Sequence, residues 1–257
     1  MRLLALLLAA AALACGSSRV SFTGEVKYGK TAEDDFVAGV EEAKSENWVE
    51  ATKFLEHCRT KYPFSKFAAL AELKLGDIKM EQDRFTEAAE SYAGFVRMHP
   101  THEQADYAAF REGLALFKDG PSDFLLFPPA VEREMKSTRD AASRLEAFLA
   151  RYPDSKYRPE AQKLLGEARR MLADHEWYVA GFYAKRGHWA GAAGRYETLL
   201  KRYPGSAREV EALFALADAE VKLEDRFKAR QALQEIIVKH PDDPARARAE
   251  KLLAELR

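Results

Sequence analysis

The stretch Ala51-Thr52-Lys53-Phe54-Leu55-Glu56-His57-Cys58-Arg59-Thr60-Lys61-Tyr62-Pro63 decides the fold, because its skeleton recurs. Five segments end alike: Lys61-Tyr62-Pro63, Met98-His99-Pro100, Arg151-Tyr152-Pro153, Arg202-Tyr203-Pro204 and Lys239-His240-Pro241. Twelve residues before the prolines stand Ala51, Ala88, Ala141, Ala192 and Ala229. Four after each alanine comes a large residue: Leu55, Tyr92, Leu145, Tyr196 and Leu233. Three further on stand Cys58, Phe95, Phe148, Leu199 and Ile236. A spacing of i, i+4, i+7 is one face of a helix. Twelve residues upstream of four of the alanines are Gly39, Gly76, Ala180 and Ala217, all small.

The pattern has a steric cause. Two antiparallel helices approach closely only where side chains lack bulk, so a small residue on the first helix meets one on the second. Proline then ends the second helix, since it lacks an N–H and disfavours a helical residue before it. The order small, small, large, apolar, proline resembles the tetratricopeptide (TPR) repeat. The expected fold is all-α: an α-solenoid of five TPR-like helix pairs. The repeats are placed at about 34–63, 67–100, 104–153, 156–204 and 207–241, followed by a C-terminal helix at 243–257.

The departures from regularity locate two further features. Successive prolines are 37, 53, 51 and 37 residues apart. In repeat three, Gly113 lies 28 residues before Ala141 instead of 12, so a loop is inserted around Asp119–Pro129. Gly120, Pro121, Pro128 and Pro129 make it a loop, yet it carries Phe124, Leu125, Leu126 and Phe127. Such an apolar tip is either tucked back onto the solenoid or kept for a partner. In repeat four, Ala180 lies 27 residues after Pro153, against 13 elsewhere. Fourteen extra residues are about four turns and preserve the apolar face. The spacing therefore predicts one long helix from Pro159 to about Lys185, running beyond its partner helix and presenting a free surface.

Upstream of the repeats the chain reads as an address. Met1-Arg2 is followed by an apolar run, Leu3–Ala14, and then by Cys15-Gly16-Ser17-Ser18. Twelve helical residues rise about 18 Å, too short for a hydrocarbon core of about 30 Å. Residues 1–14 are therefore an export signal. Ala12-Leu13-Ala14-Cys15 resembles a lipobox, with Ala12 where Leu is usual, so Cys15 is expected to be the lipidated first residue of the mature chain. The alternative is an ordinary cleaved signal followed by a coincidental cysteine. Gly16, not Asp, favours the outer membrane by resemblance to enterobacterial sorting rules. Residues 15–33 are polar and aperiodic and read as a tether.

The 257 residues carry 40 Lys+Arg against 41 Asp+Glu, intermixed along the chain, which argues against a nucleic-acid face. The sequence has no Gly-rich phosphate loop, HExxH, GxSxG or CxxC. His99 and His240 stand where tyrosine precedes the other prolines and read as structural substitutes. His99 and His102 lack a third ligand, and Pro100 separates them, so no metal is expected. Asp174-His175-Glu176 reads as a solvated face, and Cys58 as a small buried residue. No enzyme activity and no cofactor is expected, the covalent lipid on Cys15 apart. A helix-pair stack instead offers a concave binding surface.

Several segments carry a closer resemblance. They are Asn47-Trp48 ahead of Ala51, Tyr62-Pro63-Phe64, and His99-Pro100-Thr101-His102 with Asp106-Tyr107 and Arg111-Glu112-Gly113-Leu114. To these add Arg151–Tyr157, Glu176–Ala180 with Tyr183, Arg186-Gly187 and Trp189. Together they resemble the BamD family, lipoprotein subunits of the outer-membrane β-barrel assembly machine of Gram-negative bacteria. The insert diverges, with only Arg139-Asp140 similar.

The resemblance implies a lipid-anchored protein on the periplasmic face of the outer membrane. Its partners would be BamA, other lipoproteins of that complex, and unfolded outer-membrane β-barrel proteins. It implies that BamA binds the C-terminal repeats, with Arg195, Arg186 and Trp189 as candidates. It implies that client targeting signals enter an N-terminal groove, with Trp48, Tyr62 and Asn47 as candidates. Arg195 could equally be a surface ion pair, and Tyr62 could equally pack the repeat end. The other functional reading is a different periplasmic TPR lipoprotein scaffold, such as one coordinating cell-wall synthesis with envelope constriction.

Overall fold

The computed structural model describes residues 26–122 and 128–256. The signal 1–14, Cys15 and the insert's Phe124–Phe127 lie outside the described residues. Within them the chain is all helical apart from its connections: α1 (Ala32–Lys44), α2 (Trp48–Lys61), α3 (Lys66–Glu81), α4 (Phe85–Met98), α5 (Ala105–Asp119), α6 (Lys136–Arg151), α7 (Arg158–Ala184), α8 (Trp189–Arg202), α9 (Glu209–Lys222), α10 (Arg226–Lys239) and α11 (Ala245–Glu255). A 3₁₀ turn spans Ala130–Glu132. Each helix packs on its sequence neighbours. α1 also packs on α3 and α5 on α7, first helix on first helix.

The repeated alanines do what their spacing demands. Ala51, Ala88, Ala141, Ala192 and Ala229 are all fully buried. So are the large residues that follow, Leu55, Tyr92, Leu145 and Leu233, with Tyr196 nearly so. The small residues of the first helices act differently from the expectation of small meeting small. A Cβ on Gly113 would sit 2.7 Å from Leu145 Cδ2, and one on Gly39 would sit 2.7 Å from Leu55 Cγ. These glycines are notches that seat the large residue of the partner helix, rather than only its alanine.

The connections repeat as well. Tyr62, His99, Tyr152, Tyr203 and His240 end their helices at φ −124 to −129° and ψ 54 to 67°. This is the extended-leaning backbone that a following proline imposes. Between the helices of a pair, Glu46, Asp83, Gly187 and Glu224 adopt φ of 56 to 74°. At each, the next residue's N–H bonds back to the preceding helix, as from Asn47 to the Glu42 carbonyl at 2.9 Å.

Three boundaries depend on local chemistry. The tether read as 15–33 ends earlier than expected. α1 begins at Ala32 because Thr31 and Asp34 form a capping box. α7 is a single helix of 27 residues with Pro159 in its first turn, about 40 Å long. Its first half packs with α6, through Ala161, Leu165 and Ala168 beside Leu145 and Phe148. Its second half packs with α8 and α9, through Ala173 and Ala180 beside Ala192 and Leu199. The second part of the insert returns to the stack, where Met135 is buried and the 3₁₀ turn packs on α7.

Candidate partner-binding surfaces

The junction of α7 and α8 in the C-terminal half carries a buried ion pair. Glu176 sits on α7 with 7% of its surface exposed. A buried carboxylate needs a partner, and Arg195 Nη1 of α8 donates to its Oε2 at 3.0 Å. The Arg195 side chain is 42% exposed, so part of its guanidinium still faces outward. Next to it, Arg208 Nε donates to Asp174 Oδ1 at 2.9 Å and Nη1 to Glu211 Oε2 at 2.9 Å. The same guanidinium lies 5.6 Å from the Trp177 ring. His175 Nδ1 lies 2.8 Å from the Val131 carbonyl of the insert. Asp174-His175-Glu176 is therefore not a solvated face: each of the three holds a different neighbouring segment against α7.

Arg186 and Trp189 stand together at the turn between α7 and α8. Arg186 lies over the exposed Phe182 ring at 3.5 Å and donates to the Phe182 carbonyl. Arg195 is six residues along α8 from Trp189, about 9 Å further along the axis. Arg186 and Trp189 thus sit at the helix end while Arg195 stands in mid-helix, and the three do not form one cluster.

Close by, α7, α9 and α11 line an open apolar groove of about 890 Å³. Trp177, Val210, Phe214, Val221, Leu252 and Leu256 form its walls, and Glu211, Asp218, Arg248 and Glu255 lie at its charged margin. Arg248 covers the Phe214 ring at 4.4 Å. The repeat pattern does not announce this groove, because α11 lies beyond the last proline of the series. The signal was present in the apolar residues of α9 and α11 that the repeat itself does not require.

The N-terminal candidates do not form one site. Asn47 and Trp48 stand at the start of α2, where Asn47 Nδ2 donates to Glu42 Oε2 at 2.8 Å and Trp48 packs on the first core cluster. Tyr62 follows the other end of α2, roughly 20 Å away along a 14-residue helix. Its hydroxyl donates to the Lys30 carbonyl at 3.1 Å, and its half-buried ring packs beside Leu55 and Cys58 in the core of the first helix pair.

A second polar cluster joins α3, α4 and α5. Asp77 Oδ1 accepts from Tyr92 and Tyr107, both at 2.8 Å. Arg111 Nε donates to the Tyr92 hydroxyl at 3.1 Å, and the guanidinium lies over both rings. Burial, reinforced by the Asp77 charge, pushes both phenols well above their usual range, so they remain donors. Tyr107 and Arg111 are four apart on one helix face, the one sequence clue to this cluster.

His99, His102 and Cys58 serve local structure. His99 Nε2 lies 3.0 Å from Glu72 Oε2, and His102 Nδ1 accepts from the Gln104 N–H at 3.1 Å. The Cys58 thiol donates to the Ala32 carbonyl, and burial raises its pKa. Among the described residues, no group of three or more His, Cys, Asp or Glu side chains is placed to hold a metal ion. Nor is any helix among them long and apolar enough to cross a membrane.

Comparison with known proteins finds relatives over most of the chain. A family model described as an outer membrane lipoprotein, YfiO, matches residues 29–236. The outer membrane protein assembly factor BamD of Xylella fastidiosa is 29% identical over 204 residues, which cover 78% of this chain and 70% of that protein. Its counterpart in Neisseria meningitidis serogroup B is 28% identical over 206 residues, covering 79% and 77%. That of Haemophilus influenzae is 28% identical over 220 residues, covering 84% and 82%. Among solved structures, the TPR2AB domain of yeast Sti1 gives a TM-score of 0.42 at 15% identity, covering 87% of this chain and 84% of that one. The match over 29–236 takes in α1 through most of α10, and the chain therefore belongs to the YfiO/BamD family of outer membrane lipoproteins.

Proposed function

We propose that this protein is a non-enzymatic subunit of the outer-membrane β-barrel assembly machinery, anchored by lipid on Cys15 at the periplasmic face. The observation that carries this reading is the family match spanning nearly all the helix pairs, including α7. In this reading the C-terminal repeats bind BamA. Arg195 supports it, because Glu176 fixes the guanidinium while leaving part of it exposed. The apolar groove on α7, α9 and α11 adds desolvatable surface nearby, and Arg186 and Trp189 extend the contact at the turn. The N-terminal repeats receive the extended targeting signals of unfolded β-barrel proteins. A preformed surface of packed helices can hold such a strand without ATP, which the periplasm lacks. Lipid anchoring confines the protein to the plane of insertion and raises its effective concentration there.

The test is capture of BamA from detergent-solubilised membranes. Arg195→Glu alone is a poor probe, since it sets a second carboxylate beside buried Glu176. The double substitution Glu176→Gln, Arg195→Gln keeps both side chains neutral and hydrogen-bonding. It should retain the helical circular dichroism and lose most of the captured BamA. Undiminished capture would remove Arg195 from the interface, and recovery of cell-wall synthases by the wild type in place of BamA would overturn the reading. Anchoring is tested separately: a palmitate analogue should label the wild type and not Cys15→Ala.

A further inference from the structure

The residues just before α1 make three successive contacts with the first helix pair. The Tyr28 ring stacks on the His57 imidazole, with centroids 3.9 Å apart and planes at 14°. It also meets Phe54 edge-on at 5.9 Å. The Gly29 N–H donates to Asp35 Oδ1 at 2.6 Å. The Lys30 carbonyl accepts from the Tyr62 hydroxyl at 3.1 Å. A Cβ on Gly29 would collide with Asp34 Cβ, so this close approach requires glycine.

The receiving face has a buried acid behind it. Asp35 is fully buried, and its second oxygen lies 2.6 Å from His57 Nδ1. An acid with no exposure is satisfied here by one side chain and one backbone N–H from outside the helix pair. Tyr28, by contrast, is 45% exposed. The segment Tyr28-Gly29-Lys30 lies on the pair as a bound ligand would, contributing a ring, an N–H and a carbonyl in sequence.

We propose that Phe54, His57 and Tyr62, with Asp35 behind them, form a docking site for an extended segment carrying an aromatic residue, occupied in cis by Tyr28-Gly29-Lys30. It rests on the client-receiving role proposed above, and adds that clients compete with the chain's own segment. The chemistry of an occupant follows from the contacts: a ring for His57 and Phe54, a free backbone N–H for Asp35, and a carbonyl for Tyr62. A cis occupant lowers the apparent affinity for any competitor by the fraction of time the site is open.

The test uses the full-length protein in detergent micelles and two fluorescent peptides. One copies Val26–Thr31, and the other is a strand of alternating polar and apolar residues ending in phenylalanine. Tyr28→Ala, and independently Gly29→Val, should bind both peptides at least fivefold more tightly than wild type. Phe54→Ala in the Tyr28→Ala background should abolish the gain while the thermal melt stays cooperative. In wild type, either peptide should accelerate hydrogen exchange at the Gly29 amide. If the phenylalanine-ended peptide binds wild type and both released variants equally, the docking inference falls and client binding stands. If only the Val26–Thr31 peptide binds the released variants, the docking site stands and the client role falls. If neither peptide binds the released variants, the docking inference falls.

Discussion

At the scale of single residues, buried acids carry the stability that is easiest to perturb. Arg195→Ala leaves Glu176 buried with its charge uncompensated. Because Arg195 is itself partly exposed, the loss should be about 1–2 kcal/mol, read as a lower midpoint in urea unfolding. Adding Glu176→Gln should restore most of it. A second acid on α5 behaves differently with pH. Burial raises the pKa of Glu112, and Arg144 Nε at 2.9 Å only partly opposes it. Just above the ordinary carboxylate range, the folded protein therefore holds a proton that the unfolded chain has released. The contribution of Glu112 to stability falls as pH rises through that range. Glu112→Gln should flatten the dependence of the melting temperature on pH just above the ordinary carboxylate range. None of this was legible beforehand. An acid in mid-helix reads as solvated until its cross-helix partner is known, which is why Glu176 was misread.

At the scale of helices, the sequence was far more transparent. The alanines twelve residues before each proline could be read, because the steric need for closeness is stated five times over. The length of α7 could be read because fourteen extra residues keep the apolar stripe in register. The role of the glycines was only half legible, since spacing identifies a small residue without saying what fills the space. The structure ranks them. Gly113→Ala forces Leu145, fully buried, out of its place and should lower stability by about 1–2 kcal/mol after the gain in helix propensity. At Gly76 the nearest atom to an added Cβ is Tyr92 Cε1 at 3.1 Å, so Gly76→Ala should be close to neutral. Equal losses from paired denaturation curves would show that the notches are not the determinant. The contacts of Tyr28 were illegible for the opposite reason, since a short aperiodic segment shows no stripe to count.

At the scale of the molecule, the stack is two sets of helix pairs that share one member. α7 contributes to the core around Leu145 and Phe148 with its first half and to that around Ala192 and Leu199 with its second. The client and partner surfaces proposed above lie in the two sets that it joins. Gly166 and Gly181 on α7 have nothing within 4 Å of an added Cβ, so packing does not demand glycine at either. Replacing both by alanine should raise stability by about 1 kcal/mol per site, measured by chemical unfolding. The consequence is mechanical. A chain of domains joined by loops dissipates a push at one end in the slack of its joints. A continuous spar shared by two bundles has no joint where it passes from one to the other, so a twist of α6 against its first half should reach α8 as a twist, and softening the spar should uncouple the two bundles without loosening either core.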